Sequence, residues 1–194
     1  MPDALGNDRV VLITEVFANV SHAESITHGL ANEQFNWRPG PGRWSIAQAL
    51  AHLNTVNQLD LAPLRKAIEM GRSRNLLGEG PFTYGLLSRR FIARMEPPVR
   101  SNSKAPKVYQ PPPEADLSAT LAEYRRVSAE MRQLIESSAG LDLARVKTTL
   151  PALPALLRPV IKMPLGARFA LIAAHDRRHL WQAEQVRHHR DFPA

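Results

Sequence analysis

The chain has 194 residues, 44% apolar and 22% charged, a composition that suits one globular domain with a substantial buried core. It has no cysteine, which excludes disulfides, thiolate metal ligands and a cysteine nucleophile. Any metal must be held by His, Asp, Glu or carbonyl oxygens. The formal net charge of +7 keeps an anionic partner such as nucleic acid in view.

The N-terminal stretch MPDALGNDRVVLITEVF carries an early acid and no long apolar core with a cleavage site, so no signal peptide is read there. No apolar run reaches the roughly 18 residues that a membrane span needs. A cytoplasmic protein without a membrane partner is the expectation. The first helix runs from about Asp8 to Gly29. The second starts at Ser45, after the turn-rich approach NWRPGPGRW. SIAQ is a capping box, in which Ser45 and Gln48 satisfy each other's backbone amides. Ile46, Ala49, Leu53, Val56 and Leu59 then recur at helical spacing.

About 45 residues separate the second and third long helices, far more than an antiparallel hairpin needs. YGLLSRRFIARM is amphipathic enough for a short helix, whereas EPPVRSNSKAPKVYQPPPEAD is proline-rich and extended. Between Arg65 and Lys107 stand ten basic residues and three acids, which reads as a solvated connecting segment. The third helix has a heptad-like seam of Leu117, Leu121, Tyr124, Ser128, Met131 and Ile135. Asp116 is placed to cap it, and Gly140 to end it. The fourth starts near Leu165, with an inner stripe of Leu165, Phe169, Ile172, His179, Ala183 and Val186. No alternating pattern is strong enough to build a sheet. The expected fold is all-α: a single domain over residues 1–194, a four-helix bundle with an up-down-down-up path. Its crossover, at about 70–113, returns the chain to the starting end and makes helices two and three parallel.

The last helix contains AAHDRRHLWQAEQVRHH. His175 and His179 are four apart, about 40° around the axis and one turn along it. Such a pair presents two imidazoles to one metal ion, but also occurs on ordinary helices. His52 faces the core from the second helix and offers the third ligand that the pair lacks. His22, His28, His188 and His189 read as surface residues. HDRRH places an acid, Asp176, where zinc proteases carry the Glu of His-Glu-x-x-His. Aspartate is one methylene shorter, and no further ligand follows. Asp176 therefore reads as a surface carboxylate or a partner behind a ligand, and Arg177 and Arg178 as an exposed face.

FNWRPGPGRWSIAQALAHL, followed far downstream by HDRRHLWQAEQVR, resembles the DinB/YfiT-like superfamily. The likeness lies in the Trp-x-Pro approach, the WSI helix start, the single histidine of that helix, and the late His-x3-His-x2-Gln. It covers a fifth of the chain or less. The resemblance implies the same bundle and a divalent metal, Zn, Ni, Mn or Fe, held by His52, His175 and His179. It implies that Gln182 orients a ligand or a bound water, and that the protein is a homodimer. Its expected activity is that of a metal-dependent hydrolase or a thiol transferase acting on a small molecule. A non-catalytic metal-binding or stress-response protein is the alternative. A basic nucleic-acid-binding module ranks below both, because no recognition motif or aromatic platform accompanies the charge.

Overall fold

The computed structural model describes residues 9–99, 105–151, 153, 156–158 and 160–194, with the Lys107 side chain left aside. Arg100 and Lys104 of the basic crossover, and Asp8 at the expected start of the first helix, lie outside the described residues. The chain is mostly helical. Its long helices are α1 (Arg9–Thr27), α3 (Ile46–Ser73), α5 (Leu117–Ser137) and α6 (Leu165–Arg187). Two shorter helices, α2 (Asn32–Asn36) and α4 (Leu86–Met95), precede and follow α3. The amphipathic YGLLSRRFIARM is thus helical from Leu86. Contrary to the sequence expectation, a small antiparallel sheet is present. β1 (Lys147–Thr149) pairs with β2 (Lys162–Pro164), Thr148 opposite Met163.

The helix boundaries follow local chemistry. Ser45 caps α3: its Oγ accepts from the Gln48 amide at 3.1 Å, and Gln48 Oε1 accepts from the Ser45 amide at 3.3 Å. Asp116 caps α5 by accepting from the Ala119 amide at 2.8 Å. Gly140 takes the left-handed conformation, φ 78°, beyond the end of α5, where a side chain would be strained.

α1 and α3 each pack against both α5 and α6. The ion pairs and hydrogen bonds fix the sense of each pairing. Arg9 bonds to the Ser138 carbonyl and Glu24 to Arg125, so α1 and α5 are antiparallel. Glu15 meets Arg177 and His22 meets Glu184, so α1 and α6 run parallel. Asn54 bonds to the Thr120 carbonyl and Arg72 to the Ser137 carbonyl, so α3 and α5 run parallel. Asn57 meets Asp176 and Asp60 meets Arg168, so α3 and α6 are antiparallel.

The apolar stripes are broader than the sequence suggests. On α3, Ile46, Ala49 and Leu53 are buried as expected, but Leu59 is 40% exposed. The inward face continues instead through Asn57, Asp60, Leu61 and Leu64. α6 packs against α1, α3 and α4 at once. Its burial therefore extends around the helix to Arg168, Asp176, Arg178 and Leu180. Arg178 is consequently buried, not part of an exposed face. Arg177 is half-buried between Glu96, at 2.6 Å, and Glu15, at 3.3 Å.

The Asp60 carboxylate receives three hydrogen bonds from the Arg168 guanidinium at 2.5–3.1 Å, in the interior between α3 and α6. Removing one member leaves the other charge buried and uncompensated. Asp60→Asn should destabilise the fold by about 3 kcal/mol or more. Replacing both members together, as Asp60→Leu with Arg168→Met, should cost much less. Urea unfolding followed by circular dichroism measures both. Equal losses for the single and the double variant would show that the pair's charge is not what matters.

Candidate metal centre

The antiparallel contact of α3 and α6 brings His52, His175 and His179 together. One nitrogen from each ring lies within 4.8 Å of the others. His175 and His179 present their Nε2 atoms to each other at 3.1 Å. Two imidazole ligands of one ion, each about 2.0–2.1 Å from it, stand roughly 2.9–3.4 Å apart. The pair already has that spacing. The ring centroids of His52 lie 5.3 Å from His175 and 4.6 Å from His179. His52 and His179 are buried, and His175 is partly so.

Burial also sets the charge state. Desolvation pushes the His52 ring below its ordinary pKa, opposed by its hydrogen bond to the Tyr109 carbonyl. Burial pushes His175 well below, helped by repulsion from His179, His52, Arg168 and Arg178. His179 falls to about 3 through burial and the neighbouring His52 and Arg178, while a hydrogen bond with Gln182 opposes the shift. All three rings are neutral near pH 7 and keep a lone pair for a cation. The donor set, its spacing and its neutrality fit a divalent ion that takes nitrogen ligands.

The surroundings differ in part from the sequence reading. Asp176 is not on the surface. It is 6% exposed and accepts from Asn57 Nδ2 at 3.0 and 3.1 Å and from the Tyr124 hydroxyl at 2.9 Å. Its carboxylate is thus held by α3 and α5, with no histidine among the partners of those bonds, and the protease-like reading of HDRRH loses its base. Burial raises its pKa to about 7 against the pull of Asn57 and Tyr124. Of the remaining histidines, His28 and His188 are exposed. His22 is half-buried 3.5 Å from Glu184, and His189 packs on Trp37.

Two contributors escaped the sequence reading. The Trp44 ring, just before the Ser45 cap, stacks on His179 at 5.6 Å and tilts against His52 at 4.9 Å. The carbonyl of Tyr109, in a 3-10 turn at Lys107–Tyr109, meets His52 Nδ1 at 2.6 Å. Trp44 lay inside the quoted WSI motif, so a signal existed for it. A backbone carbonyl on a distant loop leaves no signal in side-chain pattern.

Fold and site together define a helical bundle with a histidine cluster, suited to a metal, on two facing helices. The model of the DinB superfamily matches residues 21–183, and the chain belongs to that superfamily. No curated protein and no solved structure shows significant similarity to the chain.

The depressed His179 pKa carries a signed pH dependence in metal-free protein. Between about 6.5 and about 3 the unfolded chain binds a proton at this residue and the folded chain does not. This contribution therefore falls as the pH falls through that window, by at most about 1.4 kcal/mol per pH unit. Relative to His179→Asn, the wild type should lose stability between pH 7 and pH 4.5. Paired urea titrations in chelator test this, and a constant difference across that range would contradict it.

Proposed function

We propose that His52, His175 and His179 hold one divalent metal ion, and that the protein is a metal-dependent enzyme of the hydrolase or thiol-transferase type. The observation that carries the reading is the convergence of three histidine ring nitrogens from two helices. Zn, Ni, Mn and Fe all accept imidazole ligands, and supply selects among them. When bound, such an ion supplies Lewis acidity that activates water or a thiol for attack. The chain's own part is to keep three imidazoles neutral, to hold His179 through Gln182, and to screen the cluster with Trp44 and Tyr109. The same reading includes the up-down-down-up path, supported by the sense of the four helix pairings. It also includes a homodimer in the cytoplasm. Exposed Leu86, Leu87 and Phe91 on α4 supply apolar surface for a second copy. Among the described residues no helix is long and apolar enough to cross a membrane.

Elemental analysis of protein purified without chelator or affinity tag tests the site. About one equivalent of metal per chain is expected, and protein that neither retains nor takes up metal would overturn the reading. Alanine at His52, His175 or His179 should each abolish tight binding, measured by calorimetry with Zn or Ni. Gln182→Ala should weaken it by roughly 10–100-fold. Asp176→Asn should leave the ligand set intact and show its effect in stability, because it disturbs the contacts with Asn57 and Tyr124. Turnover with a thiol co-substrate panel, compared with ester and amide panels, separates the two reaction types. No turnover in a metal-loaded protein favours a non-catalytic role. Sedimentation as a monomer at micromolar concentration would remove the dimer.

A further inference from the structure

The proline-rich end of the crossover has a physical peculiarity. Residues 111–113 are three consecutive prolines, which have carbonyls but no amide hydrogens. Such a stretch can only accept hydrogen bonds, and its extended conformation is already set before it docks. Among the described residues, the side chains bonded to these prolines are both donors. Gln48 Nε2 reaches the Pro112 carbonyl at 3.4 Å, and Arg38 Nη2 reaches the Pro113 carbonyl at 2.6 Å. Asn36 clamps Ala115 from both sides: its Nδ2 donates to the Ala115 carbonyl and its Oδ1 accepts from the Ala115 amide, both at 2.9 Å. One further carbonyl, that of Tyr109, points at His52 Nδ1 at 2.6 Å.

That last contact determines a tautomer. A carbonyl oxygen accepts and never donates, so His52 has to carry a proton on Nδ1, and in the neutral ring that burial favours this leaves Nε2 bare. The Tyr109 side chain reinforces the contact. Its ring is buried and meets the His52 ring edge-on at 6.5 Å. The Nδ1 atoms of His175 and His179 are also buried, but have no hydrogen-bond partner among the described residues. Among the described residues, His52 alone of the three rings has its Nδ1 fixed by backbone.

The geometry points to the 109–115 strap as the positioning element of the site: docked through Asn36, Arg38 and Gln48, it fixes the Nδ1-protonated tautomer of His52 and aims Nε2 at His175 and His179. The coupling to metal rests on the metal reading above, whereas the tautomer does not. If the strap orients a ligand, loosening it weakens metal binding, and metal binding tightens the strap.

Long-range nitrogen–proton correlation spectra of the metal-free protein, with His52 assigned by its absence in His52→Gln, read the tautomer directly. Wild type should show a protonated Nδ1 and a bare Nε2 at His52. The double variant Asn36→Ala/Arg38→Ala removes two anchors without touching the histidines. It should shift His52 towards a mixture of tautomers and lower zinc affinity roughly 10-fold. A second variant, Pro111→Gly/Pro113→Gly, keeps every partner but removes the stiffness, and should change both readouts in the same direction. Circular dichroism establishes that each variant is folded, so that a general loss of structure is not mistaken for the effect. An Nε2-protonated His52 in wild type would overturn the inference whether or not metal binds. So would folded strap variants that leave the tautomer unchanged, or that bind zinc as tightly as wild type. If wild type holds the Nδ1 tautomer and the strap variants lose it, yet wild type takes up no zinc, the metal reading fails and the positioning role stands.

Discussion

The register between α3 and α6 is the constraint on which the rest of the molecule depends. His52 lies on one helix, and His175 and His179 lie on the other. The three nitrogens meet only if the two antiparallel helices are held without slipping. A slip of one residue would move a histidine about 1.5 Å along the axis and rotate it by about 100°. Apolar packing alone tolerates such slips poorly but does not forbid them. The interface instead carries two polar contacts with fixed geometry: Asn57 to Asp176, and Asp60 to Arg168. Both lie on the same side of the cluster along α3, five and eight residues beyond His52. They tie the helices together over the two turns below the site.

These contacts also explain why the interior holds so many charged and polar side chains. Asp60, Asp176, Arg168, Asn57 and Tyr124 are all buried. Each loses hydration, so none is there for stability alone. Tyr124 joins α5 to the Asp176 carboxylate, which extends the same network to a third helix. α1 enters through Asn19, whose side chain donates to the Ala173 carbonyl at 3.2 Å. Four helices thus carry polar contacts that specify one mutual arrangement. A bundle of leucines would pack as tightly but would leave the register under-specified.

The sequence made the histidine cluster readable for a simple reason. Its evidence is periodic: two histidines one turn apart, and a third in phase with Ala49 and Val56 on a capped helix. The Ser45 and Asp116 caps were readable because capping is local chemistry within a few residues. The buried face of α6 was not. A stripe drawn through Leu165, Phe169 and Ile172 assumes one neighbour, whereas α6 packs on three helices and the small sheet. Asp176 and Arg178 therefore look like surface residues on a helical wheel and are interior residues in the fold. The small sheet escaped for another reason. Strands of three residues are too short for alternation to be distinguished from chance.

The crossover shows where a side-chain reading of sequence stops. Its length pointed to a connection that returns along the bundle, and its prolines to an extended path. Neither feature says where a carbonyl will land. Yet the absence of amide hydrogens across three prolines narrows the options: wherever the segment docks, it must find donors. Arg38 and Gln48 are such donors, to Pro113 and Pro112; Asn36 and His52 donate to the Ala115 and Tyr109 carbonyls on either side, and all four lie in the approach to α3 or within its first two turns. That placement turns a connection between helices into part of the site. It also gives the Trp-x-Pro approach a structural role of its own. The segment that delivers the chain to the Ser45 cap also supplies the Asn36 and Arg38 anchors, so the strap and the helix that carries His52 are positioned by one continuous piece of chain.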